Sequence, residues 1–288
     1  MVPSFFKKLG PISSDLINSS INCKTINVSK DDYFDSFVSI DNVSNNSLSF
    51  LYDNEKLVDN LPLKSGVICT EKTANKLNSN QKTFIVSNVQ EAVAVMSNIF
   101  YRDYDENEKI NFDDPVLGEN CEIGNNVTIE KGVVIGKDVK INHGAVVKIN
   151  CIIGDGSIIG SNTVISNSIL GENIYIGSNS SIGQRGFGFF LSKSNINIYH
   201  IGRVLLQSKV SIGSGCTIDR GSFSDTVIGE NTYFDNLCHV AHNVEIGNNS
   251  AFAAMTGIAG SAKIGNHVLT GGQAGIAGHI KIGNNVHI

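Results

Sequence analysis

The strongest constraint on the fold is a six-residue period in aliphatic side chains over the second half of the chain. A long period of six matches neither an α-helix, with 3.6 residues per turn, nor a simple strand alternation of two. It matches a triangular coil with one hexapeptide per side, in which residues about 18 apart stack at roughly 4.8 Å. The positions in phase are Leu117, Ile123, Ile129, Ile135, Ile141, Val147, Ile153, Ile159 and Ile165, then Leu170, Ile176 and Ile182 after a one-residue deletion, and, after an interruption, Ile228, Phe234, Val240, Ile246, Phe252, Ile258, Ile264, Thr270, Ile276, Ile282 and Ile288.

The corners of such a coil need residues that accept a positive φ angle. Suitable residue types recur three places after the aliphatic, at Asn120, Asn126, Asp138, Gly144, Asn162, Asn249, His267 and Asn285. We therefore predict a mainly β fold, a left-handed parallel β-helix of hexapeptide repeats over residues 111–288. A looped insertion near 184–200 is expected to interrupt it.

The six cysteines show no CxxC pairing that would indicate a metal or disulfide framework. Four of them lie four places after the phase aliphatic, a position they share with Val127, Val133, Ala145 and Thr163. We therefore expect these four to fill a corner of the core as small apolar residues: Cys121, Cys151, Cys216 and Cys238.

Residues 1–110 have a different pattern, which predicts a small α/β domain. Expected strands near 35–40, 47–52, 65–70 and 83–87 alternate with helix-like stretches such as NVQEAVAVMSNIF. The segment YRDYDENEKINFDDP then combines charge with a proline, as a domain boundary does.

Charge and hydropathy exclude two classes of function. The net charge is −5 and no Lys/Arg cluster is present, so we expect no nucleic-acid partner. The N-terminal residues MVPSFFKKLGPISSDL lack the apolar core of a signal peptide, and no apolar run of about 18 residues could span a bilayer. We therefore expect a cytoplasmic protein without a transmembrane segment.

The segment FDNLCHVAHNVEIG contains the strongest catalytic candidate, His242. His242 lies two places after Val240, where the repeat requires no particular side chain, and Gly260 follows eighteen residues later. We expect Gly260 to stack one coil above His242, so that a general base lies beside a backbone N–H able to stabilise an oxyanion. That pair suits acyl transfer to an amine or a hydroxyl.

Other residues near His242 have simpler explanations. His279 lies at a corner position, and His239 directly precedes a phase aliphatic. Asp235 is seven residues before His242 and is therefore expected around a corner from it. A catalytic zinc site would need three convergent ligands, and His239 and His242 differ in phase with no third histidine at a matching offset, so we expect no metal.

Taken together, these residues resemble the UDP-3-O-acylglucosamine N-acyltransferases of lipid A biosynthesis. The resemblance rests on TIDRGSFSDTVIGENTYFDNLCHVAHNVEIGNN, joined by GFGF, IGRV, GIAGSAKIG and GHIKI. It implies a homotrimer of a Gram-negative bacterium that transfers a 3-hydroxyacyl chain from acyl carrier protein to the 2-amino group of UDP-3-O-acyl-glucosamine, without a cofactor. His242 would be the general base, Asp235 would orient its imidazole, Gly260 would donate to the oxyanion, and His279 would assist. His239 and Asn236 would contact substrate.

The resemblance also implies that the N-terminal domain binds uridine between two aromatic residues, in a pattern of Phe, Asn and Tyr spaced three apart. Phe50 matches the first position, Asn54 fits the second after a shift of one residue, and Tyr52 is the available second aromatic. The family continues into further coil and a helical segment, which the chain ending at Ile288 lacks.

Two alternatives remain open at this stage. The O-acyltransferase that acts on UDP-N-acetylglucosamine in the same pathway also carries a histidine in a hexapeptide coil, but its repeats begin almost at the N-terminus. A non-catalytic binding solenoid would not need GFGF or the pair of Asp235 and His242.

Overall fold

The computed structural model describes residues 4–53, 61–104, 112–191 and 195–288. It divides into two compact units. One comprises Met1–Phe5, Asp105–Phe187 and His200–Ile288, and the other comprises Phe6–Tyr104 and Gly188–Tyr199. The expected domain boundary after residue 110 falls outside the described residues.

The larger unit is the predicted left-handed parallel β-helix. Its strands form three parallel sheets in sequential order, and each strand pairs with the strand one coil later. The first sheet contains Val116–Leu117, Val134–Ile135, Ile152–Ile153, Ser168–Leu170, Val204–Leu206, Thr226–Ile228, Glu245–Ile246, Lys263–Ile264 and Lys281–Ile282. The second contains Glu122–Ile123, Lys140–Ile141, Ile158–Ile159, Tyr175–Ile176, Ser211–Ile212, Tyr233–Phe234, Ala251–Phe252 and Leu269–Thr270. The third contains Thr128–Ile129, Val146–Val147, Val164–Ile165, Ser181–Gln184, Thr217–Asp219, His239–Val240, Gly257–Ile258 and Gly275–Ile276.

Stacked phase residues form the core of the coil. Ile141, Ile159 and Ile176, for example, follow one another in register in the second sheet and are at most 1% exposed. Full burial of such a side chain contributes about 1.5–3 kcal/mol, so the repeat itself supplies the main stabilising term. Thr270, the polar exception, is buried and bonds Thr256 Oγ1 at 2.9 Å.

The corners and cysteines also follow the prediction. Every expected corner residue has a positive φ angle, from 55° at Asp138 to 71° at Gly144. Cys151, Cys216 and Cys238 are buried, Cys121 is partly buried, and all four are free thiols.

One prediction for the coil was incomplete. The repeat resumes before Ile228, because Leu206, Ile212 and Ile218 already occupy buried phase positions. The residues near 184–200 are therefore followed by one further coil, and a second, shorter interruption lies between Asp219 and Thr226.

The smaller unit is the predicted α/β region. Its five-stranded sheet has the strand order Lys24–Ile26, Lys82–Ile85, Gly66–Cys69, Ser47–Phe50, Ser36–Ser39. The helices are α1 (Ser14–Ile21), α2 (Glu71–Ala74) and α3 (Val89–Phe100), with a 3-10 turn at Ile40–Asn42. Two-stranded pairs join Lys7–Lys8 to Tyr101–Arg102, Ile12–Ser13 to Tyr33–Phe34, and Phe189–Phe190 to Ile196–Asn197. The apolar face of α3 buries Val93, Met96 and Phe100.

Candidate active site

His242 and Gly260 are brought together as the sequence predicts. They follow the paired strands His239–Val240 and Gly257–Ile258 of the third sheet, in which Val240 is in register with Ile258. A Cβ atom on Gly260 would lie 2.9 Å from Cε1 and 3.0 Å from Nε2 of His242. The imidazole edge that bears Nε2 therefore faces the Gly260 backbone, and a side chain at 260 would displace it.

Asn243 sets the tautomer of His242. The Nδ1 atom of His242 lies 2.8 Å from Oδ1 of Asn243. This oxygen also accepts the Ser222 N–H at 3.1 Å, while the Asn243 Nδ2 donates to the Ser224 carbonyl at 3.0 Å, so the amide has one orientation. Because an amide oxygen only accepts, Nδ1 carries the imidazole proton and Nε2 is the free base.

The Gly260 N–H is available to a ligand. Its carbonyl accepts the His279 N–H at 3.1 Å, but its own N–H donates no hydrogen bond within the described part of the chain. A half-buried, unpaired N–H beside a basic nitrogen is the arrangement that stabilises a developing oxyanion while a proton is removed.

A second histidine lies behind His242 and was not anticipated from sequence. His200 is 2% exposed, and its ring lies edge-on to His242 with the centroids 5.3 Å apart. Its Nδ1 accepts the Gly186 N–H at 3.3 Å. Burial, and next the neighbouring His242, lower the pKa of His200 to about 3, while a weaker backbone interaction with Arg220 acts in the opposite direction. His200 is therefore uncharged, and the ring of His242 packs against it.

Gly186 makes this packing sterically feasible. A Cβ atom at residue 186 would lie 2.9 Å from Cβ of His242 and 3.0 Å from Cε1 of His200. The expected insertion thus contributes a glycine and a histidine to the back of the site.

The carboxylate associated with the histidines is Asp219, not Asp235. Asp219 Oδ2 lies 3.8 Å from Nε2 of His239, whose Nδ1 bonds Thr217 Oγ1 at 2.7 Å. Burial raises the pKa of the Asp219 carboxyl, and the nearby His239 and His242 lower it to a lesser extent.

Asp235 and Asn236 follow a strand of the second sheet and therefore occupy a different corner from His242. Asp235 Oδ1 accepts from the backbone and side-chain nitrogens of Asn236, at 2.7 and 2.9 Å. The expected hydrogen bond from His242 to Asp235 is absent among the described residues, because Asn243 is adjacent to the imidazole and Asp235 is not. Within one chain, the orienting residue is Asn243.

His279 lies at the same corner as His242, two coils along. It is exposed, with a φ angle of 60°, so it has the conformation of a corner residue. Its backbone N–H nevertheless donates to the Gly260 carbonyl. It directly follows Gly278, the last residue of the column formed by His242, Gly260 and Gly278.

The predicted uridine residues belong to the smaller unit. Phe50 is 8% exposed and packs on Phe37, with ring centroids 5.4 Å apart, so its ring is largely a core element. Tyr52 lies edge-on to Phe50 at 5.6 Å. Asn54 lies outside the described residues.

Sequence reasoning missed His200, Asn243, Asp219 and Gly186. Asn243 was missed because its corner position, with a φ angle of 61°, already explains an asparagine without any contact to His242. Among the described residues, no group of three or more His, Cys, Asp or Glu side chains could hold a metal ion. No helix in the described ranges has both the length and the apolarity needed to cross a bilayer.

Two family models match the coil. The one described as GMPPB C-terminal domain covers residues 111–196. The one described as bacterial transferase hexapeptide (six repeats) covers residues 225–260, a range that includes His242 and Gly260. Residues 225–260 therefore match the hexapeptide-repeat family of bacterial transferases, as the six-residue period predicted.

Curated relatives with one enzyme name match a segment of the chain. This chain is 51% identical over 65 residues to the UDP-3-O-acylglucosamine N-acyltransferase of Maricaulis maris, and 53% identical over 66 residues to that of Nitrobacter hamburgensis. These matches span 22% of this chain and 19% and 18% of the relatives, about a fifth of their length. The resemblance to this family is thus confirmed over the matched segment.

A solved structure has the same fold. The UDP-N-acetylglucosamine acyltransferase from Campylobacter jejuni superimposes with a TM-score of 0.52 at 25% identity, covering 58% of this chain and 65% of that one. The β-helix of this chain is thus similar in fold to that acyltransferase over the superimposed part.

Proposed function

We propose that this hexapeptide-repeat protein is an N-acyltransferase that transfers a 3-hydroxyacyl chain from acyl carrier protein to the 2-amino group of UDP-3-O-acyl-glucosamine. The observation that carries the proposal is the pairing of a free His242 Nε2 with the unpaired Gly260 N–H. The names of the relatives, at about half identity over the matched segment, support the amine acceptor over a hydroxyl acceptor.

The proposed reaction uses these two groups in sequence. The substrate amine attacks the thioester carbonyl, and His242 Nε2 takes its proton as the C–N bond forms. The carbonyl oxygen becomes an oxyanion that accepts the Gly260 N–H. Collapse of the tetrahedral intermediate breaks the C–S bond, and the imidazolium returns the proton to the departing thiolate. The products are an amide and the free carrier thiol.

The remaining predicted residues keep their proposed roles. His279 would assist at the corner beside Gly260, while His239 and Asn236 would contact the sugar nucleotide. Asp235 is assigned to the site on the resemblance alone, and we propose the homotrimer that the same resemblance implies. Phe50, Asn54 and Tyr52 would contact uridine, and the protein would work in the cytoplasm.

The decisive test replaces His242 with Ala. A general base typically contributes 10²- to 10⁴-fold, so we expect His242→Ala to reduce kcat by about 10³-fold with acyl carrier protein thioester and the free-amine sugar nucleotide. Binding of the UDP-sugar, measured by calorimetry, should change less than about threefold. The matched control is His267→Asn, which replaces an exposed corner histidine by a residue that suits its φ angle of 56°.

Near-normal turnover by His242→Ala would contradict the proposed base. An unmodified chain that acylates UDP-N-acetylglucosamine, and not the free-amine substrate, would instead identify the O-acyltransferase alternative. A chain that acylates neither substrate would favour a binding solenoid.

A further inference from the structure

The residues two places after the phase aliphatic stack in columns. Within a column, a side chain of one coil can cap the preceding coil, that is, accept a hydrogen bond from its backbone N–H. Among the described residues, an Asn or Asp side chain accepts the backbone N–H of the equivalent residue one coil earlier in five places. These contacts range from 2.7 to 2.9 Å and are made by Asp155 to Lys137, Asn236 to Ser214, Asn248 to Glu230, Asn266 to Asn248 and Asn284 to Asn266.

His242, Gly260 and Gly278 occupy the same position relative to the phase aliphatic, two places after Val240, Ile258 and Ile276, at the corner that follows the third sheet. Each is followed by a corner residue with a positive φ angle, and His279 at 60° compares with Asn285 at 56° and Asn249 at 58°. An acceptor at residue 278 would therefore lie over the Gly260 N–H as Asn284 lies over Asn266. Glycine has no side chain, and the Gly260 N–H stays unpaired.

We propose that Gly278 is a positioning residue whose lack of a side chain keeps the Gly260 N–H uncapped for the substrate oxyanion. This inference rests on the proposed acyl transfer and adds a residue to it. The five caps lie at corners that follow the first or the second sheet, whereas Gly260 and Gly278 lie at the corner that follows the third sheet. A cap on Gly260 would stabilise the coil by occupying the donor that the proposed reaction uses.

Space above Gly260 is sufficient for an inserted side chain. A Cβ atom on Gly278 would lie 3.0 Å from the Gly260 carbonyl oxygen and 3.9 Å from the Gly260 nitrogen. The first contact is tight and requires a shift of a few tenths of an ångström. Neither contact overlaps His242, so substitution should act on the donor and leave the base in place.

The test is Gly278→Asn, with two matched controls. Gly278→Ala adds the same Cβ atom without an acceptor. Gly272→Asn inserts the same amide at the equivalent position of another corner, where a Cβ atom would lie 3.5 Å from the Ala254 carbonyl oxygen, away from His242. Removal of one oxyanion donor costs about 10²- to 10³-fold in other enzymes, so we expect a loss of about 10²-fold in kcat for Gly278→Asn.

Gly272→Asn should retain kcat within about fivefold, and Gly278→Ala should lose less kcat than Gly278→Asn because it adds a Cβ atom without an acceptor. KM for both substrates should stay within about threefold in all variants. A readout independent of activity is hydrogen–deuterium exchange at the Gly260 amide. We expect exchange to slow by at least tenfold in Gly278→Asn and to be unchanged in Gly278→Ala and Gly272→Asn. Equal thermal midpoints would exclude a folding defect as the cause.

Unchanged exchange at Gly260 in Gly278→Asn would overturn the inference, as would a protected amide with full kcat. If the unmodified chain transfers no acyl group, the proposed function fails. Hydrogen–deuterium exchange at the Gly260 amide then still tests whether the side chain at residue 278 controls hydrogen bonding of the Gly260 N–H.

Discussion

Two uncharged residues, Asn243 and His200, orient the imidazole of His242. Asn243 fixes the proton on Nδ1, and His200 packs against the ring without carrying charge. A carboxylate partner would stabilise the imidazolium more strongly, whereas an amide orients the ring and leaves the cation less stabilised. In the proposed reaction, Asp219, half-buried near both His239 and His242, would offset the charge of the His242 imidazolium.

His200 makes the fold sensitive to acid. Its pKa is about 3 in the folded chain and about 6.5 when unfolded. Below pH 6.5 the unfolded chain therefore binds a proton that the folded chain does not, so stability falls as the pH falls toward 3. The loss from this residue is up to about 1.4 kcal/mol per pH unit.

We therefore expect His200→Gln to reduce the loss of stability between pH 7.5 and 5.5. Gln can accept the Gly186 N–H as His200 does, and it does not titrate. Thermal midpoints at the two pH values, followed by circular dichroism, provide the measurement, with the exposed His267→Gln as control. Equal acid sensitivity in His200→Gln and the unmodified chain would contradict this account.

At the scale of the element, the corner conformation determines which residues the repeat accepts. Asn162 has a φ angle of 57°, where a Cβ atom costs roughly 1–2 kcal/mol except in Asn and Asp, which form local hydrogen bonds. We expect Asn162→Gly to be more stable than Asn162→Ala by about 1 kcal/mol, as measured by denaturant unfolding.

The neighbouring Ser161 provides a control in which the expected stability order of the Ala and Gly variants is reversed. It has no positive φ angle, so Ser161→Ala should be more stable than Ser161→Gly by about 0.5–1 kcal/mol. The same order at both positions would mean that backbone conformation is not the cause.

Sequence predicted these elements well because a period of six residues encodes both the core and the corners. It missed Leu206, Ile212 and Ile218 because only three hexapeptides lie between two interruptions, too few to establish a phase. The stacking of Gly260 on His242 was predicted because both residues obey the repeat. His200 and Gly186 could not be predicted, since the coil insertion that brings them to His242 has no period.

At the scale of the whole β-helix, the outward face of the second sheet carries a run of exposed apolar side chains. Ile158, Tyr175, Tyr233 and Leu269 form an apolar stripe whose members are 40–50% exposed. They follow one another along the coils with only Ser211 and Ala251 between them. Extended exposed apolar surface of this kind marks an interaction site, and a cyclic homo-oligomer would cover one stripe per subunit.

The homotrimer that we propose should therefore depend on this stripe. We expect the unmodified chain to sediment at three chain masses at micromolar concentration, and Tyr175→Lys to shift it toward the monomer, because a lysine ammonium buried without a partner costs several kcal/mol. Thr128→Lys, at an exposed outward position of the third sheet, is the matched control and should leave the trimer intact. Sedimentation velocity at several concentrations measures all three chains. A monomeric unmodified chain would refute the trimer, whereas a trimer that survives Tyr175→Lys would place the interface on another face of the coil.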